Sequence, residues 1–371
     1  MIDYLETNRR RFSGISSLLY IDAKLFVPIV FITFLGLITI YSSSSGDIAL
    51  VIKQFTRIVI GVVVMIFLAQ INPDNLKLFA PVLYFTTILL LILVLLFGVG
   101  KSADRWLDLY FIRFQPSELM KIFVPLMLAT YYADKPLPPR TKYIFIAIAI
   151  VIVPVLLIMR QPDLGTALLI GMSGAIAILL AGMSLKFFIG SSISFAALIP
   201  ILWMNMHSYQ KQRVITFFNP ESDPLGSGYH LMQSKIALGS GGFFGKGLLN
   251  GTQSKLGFVP EHSTDFIFTA FGEEFGFLGI MILMSLYLFI ALRGLSISIK
   301  ATDNFGRILT GTLSLTIFLY VLVNVGMVIG FLPVVGAPLP FMSYGGTSMV
   351  TLFATFGIIM SIKSHQRILR K

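Results

Sequence analysis

Asp265 stands where a polar stretch, Pro260-Glu-His-Ser-Thr-Asp265, turns into the apolar run Phe266-Ile-Phe. A carboxylate at such a boundary, beside a cavity that limits water, suits a general base. It can equally cap the helix that follows. A second group is Arg113-Phe-Gln-Pro-Ser-Glu118-Leu-Met-Lys121. Pro116 and Ser117 read as a helix start, and residues three apart share a helix face. Glu118 and Lys121 are therefore either a salt bridge at a helix end or a charged pair lining a polar cavity. Just upstream lie Lys101, Asp104, Arg105 and Asp108. A third group is Arg160-Gln-Pro-Asp163-Leu-Gly, in which Asp163 either caps the next helix or joins the same cluster.

Lys246 lies in Gly239-Ser-Gly-Gly-Phe-Phe-Gly-Lys-Gly247. The stretch is not a Walker loop, since Ser240 and Gly247 occupy positions that need Gly and Ser/Thr. It is not a Rossmann turn either, with Phe244 where the third Gly belongs. It reads as a hinge, or as backbone N–H groups offered to an anionic headgroup with Lys246 adding charge. Glu273 and Glu274 follow Asp265 by eight and nine residues, which in one continuous helix is about 12–14 Å deeper. Buried there, they are either proton-relay groups or structural hydrogen-bond partners. His207, His230, His262 and His365 are scattered, and there is no Cys, so a zinc site, thiolate chemistry and redox chemistry have no support. No Gly-x-Ser-x-Gly elbow appears.

These groups need elements to hold them, and the composition says what kind. Of 371 residues, 56% are hydrophobic and 12% charged, where a soluble domain carries about 25% charged residues. A soluble enzyme, a disordered chain and a disulfide-stapled domain are excluded. The continuous apolar runs predict an all-α polytopic membrane protein with ten spans: 25–43, 55–71, 78–99, 115–133, 143–159, 164–182, 186–205, 266–292, 308–332 and 344–362. The first run is read as a retained anchor and the chain as a single membrane domain. Placing residues 1–24 and 363–371 in the cytoplasm puts 16 of the 28 Lys and Arg inside. Five of the remaining 12 fall in the long outer segment 206–265, which the positive-inside rule counts weakly. The net charge of +11 is thus mostly topology, and nucleic acid is not an expected partner. Within 206–265, residues Tyr229 to Leu238 predict a short helix, and Leu248, Leu249, Leu256 and Phe258 predict that the segment folds back onto the bundle. The last outer loop, 331–348, has three Pro and three Gly before Thr347 and no charge, so it must be buried in protein or line a cavity.

Asn324-x5-Gly330-x-x-Pro333-x-x-Gly336, followed by Pro338-Leu-Pro340-Phe-x-Ser343-Tyr-Gly-Gly-Thr-Ser348, resembles the signature of the shape, elongation, division and sporulation family. Phe331 and Ala337 depart from its usual smaller or branched aliphatics. Phe114-Gln-Pro-Ser-Glu118-x-x-Lys121, Gln161-Pro-Asp-Leu-Gly-Thr166, His262-Ser-Thr-Asp265-Phe-Ile-Phe and Gly272-Glu-Glu-Phe-Gly276 agree in order and spacing. The wording Val334-Val-Gly-Ala-Pro-Leu-Pro340 is closer to the rod-shape branch than to the division branch.

The resemblance implies a peptidoglycan glycosyltransferase of the bacterial inner membrane that polymerises lipid II at the outer face during cell elongation. It implies a class B penicillin-binding protein and the elongation machinery as partners. Asp265 is then the expected catalytic residue, and Arg105, Glu118, Lys121 and Asp163 line the substrate cavity. Arg160 and Lys246 are further candidates for the pyrophosphate, with no resident cofactor and a divalent cation, Mg or Mn, as a possible helper. A lipid II flippase and a non-catalytic activator of a transpeptidase are the competing readings.

Overall fold

The computed structural model describes residues 20–98, 105–108, 113–184, 186–190, 193, 197, 200, 203–204, 206, 208–219, 226–252 and 263–369. It is an all-helical bundle. The chain runs through α1 (Ala23–Ser43), α2 (Ile48–Gln70), α3 (Pro73–Phe97), α4 (Pro116–Ala133), α5 (Thr141–Arg160) and α6 (Leu164–Leu180). After these come α7 (Ser208–Phe218), α8 (Ser227–Ser240), α9 (Ile267–Ile299), α10 (Asn304–Ile329) and α11 (Thr347–Leu369). A two-residue hairpin, β1 (Leu107–Asp108) with β2 (Arg113–Phe114), precedes α4.

Seven helices, α1, α2, α3, α5, α9, α10 and α11, are long and apolar enough to cross a membrane. α4 and α6 fall on two more of the ten expected runs as a more polar helix and a shorter one. Of the tenth, 186–205, half the residues are described, and each of those is helical. α2 starts seven residues before its expected boundary, because Asp47 caps it by accepting from the Ala49 and Leu50 N–H groups. Lys53 and Gln54 interrupt the apolar run in the sequence without breaking the helix. α7, inside the long outer segment, was not expected at all. α8 runs 227–240, as the apolar spacing around Tyr229–Leu238 implied.

α9 differs most from its expectation. At Gly276 the backbone turns to φ 64°, ψ −166°, so two helices abut there. The piece 277–299 alone is about 34 Å long, enough for a hydrocarbon core of about 30 Å. Glu273 and Glu274 therefore sit on the short segment before the break, not deep in the spanning helix.

The end of the bundle away from the candidate site is tied by one buried carboxylate. Asp22 caps α1 through the Lys24 N–H, and its Oδ2 receives Arg293 at 2.9 Å and Lys363 at 2.6 Å. Three helices, α1, α9 and α11, are joined there. Burial pushes the Asp22 carboxyl up, but the Lys363 ammonium and the Arg293 guanidinium outweigh it and hold it below the usual carboxylate range. Asp22→Ala should cost about 3–5 kcal/mol, because two cations lose a desolvated partner. A lowered folded pKa contributes stability above the unfolded value near ~4 and loses it as pH falls through the folded value. Melting temperature in detergent against pH should show that acid-side fall in the wild type and a flatter profile in Asp22→Ala.

Candidate functional site

The loop 331–346 organises one end of the bundle. Its backbone enters among helices, so its N–H and C=O groups need partners other than water. Asn324, fully buried on α10, donates its amide to the Asp265 carbonyl at 2.8 Å and to the Ala337 carbonyl at 2.7 Å. Ser343 donates to the Thr264 carbonyl at 2.7 Å and accepts from the Leu339 N–H at 2.7 Å. The Tyr344 N–H reaches the Ser263 carbonyl at 2.8 Å. On the other side, Gln54 donates to the Ser343 carbonyl and accepts from the Gly345 N–H. Arg57 lies 4.5 Å from the Tyr344 ring centroid. A Cβ on Gly165 would collide with the Val335 carbonyl oxygen, so only glycine lets the start of α6 meet this loop.

Asp265 is half-buried. It does not cap α9: Phe266 holds that position, without a side-chain bond. Its Oδ2 lies against Gly336, 3.3 Å from where a Cβ would be. From Gly336 the loop runs two to four residues to Pro338 and Pro340, at most about 7–14 Å of chain. Those prolines line a pocket together with Glu118, Lys121, Tyr320 and Thr351; it holds about 460 Å3 of atom-free space, open solvent at its mouth included. Asp265 and the charged cavity thus lie along one short stretch of backbone.

Inside the cavity, Lys121 donates to Glu118 Oε1 at 2.6 Å. Its Nζ is 4.9 Å from the Tyr320 ring centroid. Thr351 donates to Glu118 Oε2 at 3.3 Å. Asp163 is within electrostatic reach of Lys121. Asp163 does cap α6, accepting from the Thr166 N–H at 3.2 Å, and its other oxygen accepts from Gln115 at 3.2 Å. Arg105 approaches that oxygen at 3.7 Å and donates to the Pro162 carbonyl at 2.6 Å. Four of the expected residues, Arg105, Glu118, Lys121 and Asp163, therefore form one chain of charge. The capping and site readings of Asp163 hold together, and so do the salt-bridge and cavity readings of Glu118 and Lys121.

Arg160 is exposed at the last turn of α5. Lys246 is engaged elsewhere: it donates to Glu273 Oε1 at 2.7 Å and to Thr252 at 2.9 Å. The glycine stretch around it sews the α9 break. The Lys246 and Gly247 N–H groups give to the Glu273 and Glu274 carbonyls, ending the short piece. The Gly242 and Phe243 carbonyls accept from the Phe277 and Leu278 N–H groups, starting the long one. Glu274 is held by Ser42 of α1. Both glutamates are buried hydrogen-bond partners in this arrangement. Leu248 and Leu249, expected to carry the docking of this segment, remain exposed, so backbone bonds do that work; Leu256 and Phe258 lie outside the described residues.

Sequence reasoning missed Tyr320, Thr316, Thr351 and Thr355. Their only signal is hydroxyls at helical spacing, 316/320 and 351/355, on one face of an apolar helix. Among the described residues no three His, Cys, Asp or Glu cluster as metal ligands. Glu118 and Asp163 already face cations, so this donor set does not fit a resident divalent ion.

The chain matches the FtsW/RodA/SpoVE cell cycle protein family over residues 17–368. It is 47% identical to the peptidoglycan glycosyltransferase MrdB of Escherichia coli K12 over 354 residues, 95% of this chain and 96% of that one. It is 35% identical to the probable peptidoglycan glycosyltransferase FtsW of Trichlorobacter lovleyi, over 92% and 93% of the two chains. A chain of a solved peptidoglycan synthase complex, which coordinates polymerization and crosslinking, superposes with a TM-score of 0.83 at 27% identity, covering 93% and 98%.

If Glu118 and Lys121 act as one unit, removing the second after the first should add little. Melting temperatures of Glu118→Gln, Lys121→Met and the double variant should show a coupling of about 0.5–3 kcal/mol. Strict additivity would show that the two groups are independent.

Proposed function

The chain belongs to the FtsW/RodA/SpoVE family, and on that premise we propose how its outer-face groups divide the work of glycan polymerisation. It is a multi-pass membrane protein and a peptidoglycan glycosyltransferase. The substrate we assign is lipid II, a disaccharide peptide on a polyprenyl pyrophosphate. Asp265 is the general base. As the acceptor's sugar 4-hydroxyl oxygen bonds to the donor's anomeric carbon, its proton passes to the Asp265 carboxylate. The anomeric C–O bond breaks, its electron pair leaves on the pyrophosphate, and the anomeric centre inverts.

Developing negative charge on the leaving group calls for fixed cations. Arg105 and Lys121 supply them within the cluster, held in place by Asp163 and Glu118. Exposed Arg160 lies at the end of the same helix–loop step. Lys246 joins only by leaving Glu273, so its resting role is to hold the outer segment. A divalent cation, magnesium or manganese, would accompany the pyrophosphate, and no step here runs through it. The polyprenyl tails lie against apolar helix faces in the bilayer.

The observation that carries this reading is the run of backbone from the Asp265 carboxylate at Gly336 to the Lys121 cavity at Pro338 and Pro340. We assign this face to the outside of the bacterial inner membrane, with both termini cytoplasmic, from the sorting of Lys and Arg. A class B penicillin-binding protein and the elongation machinery are the proposed partners. The crosslinking complex supports the first, and the rod-shape wording of residues 334–340 supports the second.

Purified protein given labelled lipid II should make glycan strands, and Asp265→Asn should reduce the rate by about 10²–10⁴-fold, the scale of a lost general base. Full activity in that variant would remove Asp265 from the mechanism. Transfer of lipid II across liposomes without polymer would favour a flippase. For orientation, the natural chain has no Cys, so single cysteines report cleanly. Leu248→Cys should react with an impermeant thiol reagent on intact spheroplasts, and Lys300→Cys only after permeabilisation.

A further inference from the structure

The corner between α4 and α5, at the end of the bundle opposite the charged cavity, gathers cations without matching acids. Lys135 Nζ lies 5.6 Å from the Tyr131 ring centroid and 5.4 Å from that of Tyr143. Lys142 Nζ lies 5.0 Å from Tyr143. Arg140 stands at the N-cap of α5, where no side chain caps the helix and the first turn holds no acid. A helix N-terminus already carries partial positive charge, so Arg140 and Lys142 sit where cations are disfavoured. Lys186 is placed nearby through Phe187, whose ring packs on Phe145 of α5 at 6.0 Å. Among the described residues the acid at the corner is Asp134, bonded to Lys77 at 2.9 Å.

The lysines stand on an aromatic cluster. Tyr131 and Tyr132 pack edge to face at 5.3 Å, and Tyr131 meets Tyr143 at 6.5 Å. Tyr132 is fully buried, and the hydroxyls of Tyr131 and Tyr132 both lack a hydrogen-bond partner. Buried phenols ordinarily find one. Two lysines held over aromatic faces and a helix start with no side-chain cap meet at this corner of the bundle.

We propose that this corner binds the phosphate headgroup of an anionic phospholipid. Lys135 and Lys142 contact the phosphate, the α5 N-terminus offers N–H groups, and the tyrosine rings flank the glycerol and upper acyl chains. Basic pockets between spanning helices recognise such headgroups by this chemistry. That the lipid belongs to the cytoplasmic leaflet rests on the orientation proposed above; the binding itself does not.

The test uses the full-length protein in mild detergent with bound lipid read by native mass spectrometry. Incubated with mixed micelles of phosphatidylglycerol and phosphatidylcholine, the wild type should retain phosphatidylglycerol selectively. Lys135→Ala/Lys142→Ala should retain about 30-fold less, the scale of two lysines at an anionic surface. Its melting temperature and lipid II polymerisation should stay near wild type, which separates this site from the catalytic reading. Lys142→Glu, at an exposed position, repeats the test by charge reversal if the double variant folds poorly. Glycerol phosphate and inorganic phosphate, added as competitors, should displace little lipid if the acyl chains contribute. Full displacement by either would mean a free-phosphate site and overturn the lipid assignment. Equal retention of phosphatidylglycerol by wild type and both variants would overturn the site.

Discussion

Asn324 makes the bonds on which the site end of the bundle depends. One buried amide donates to two carbonyls, Asp265 in the segment before α9 and Ala337 in the loop before α11. A loop with three prolines cannot satisfy its own backbone, and in the bundle water does not stand ready to do so. Asn324, Ser343 and Gln54 take that role. Once the loop is pinned, the position of Asp265 relative to Pro338 and Pro340 is set, and so is its relation to the Lys121 cavity. The geometry we propose for catalysis is therefore a consequence of backbone satisfaction.

The same accounting explains the α9 break. A left-handed residue at Gly276 leaves carbonyls ending one helix and N–H groups starting another. The glycine stretch 241–247 answers both sets, which requires backbone to pass close to backbone. A Cβ on Gly245 would strike the Glu274 carbonyl oxygen, and one on Gly276 the Gly245 nitrogen. Glycines that read as a possible phosphate cradle are thus used as a splice. Lys246 follows, drawn to the carboxylate of Glu273 that the splice brings beside it.

Charge is distributed by the same economy. At one end, Asp22 with Arg293 and Lys363 gathers three helices. At the other, Glu118–Lys121 and Asp163–Arg105 pair their charges, and the first pair lines the cavity. Fixed cations whose partners are already in place need little reorganisation when a pyrophosphate departs. The corner at Tyr131, Tyr143 and Lys135 departs from this pattern, because its cations outnumber the acids around them.

Much of this was legible in the chain itself. Membrane class, helices on nine of the ten apolar runs, the helix at 227–240 and the grouping of Glu118 with Lys121 follow from local properties: apolar run length, capping residues and spacing along one helix. Hydrophobic transfer is close to additive over a run, so neighbours in sequence are enough to decide it. The family motifs added Asp265. What the tertiary structure alone decided is which distant groups meet. Thr351 reaches Glu118 across 233 residues, and Gln54 reaches Ser343 across 289. Glu273 finds Lys246, not a relay partner, because Gly276 breaks the helix that the apolar pattern drew as continuous. Such pairings depend on where a buried polar group finds its complement in three dimensions, and no spacing along the chain encodes that.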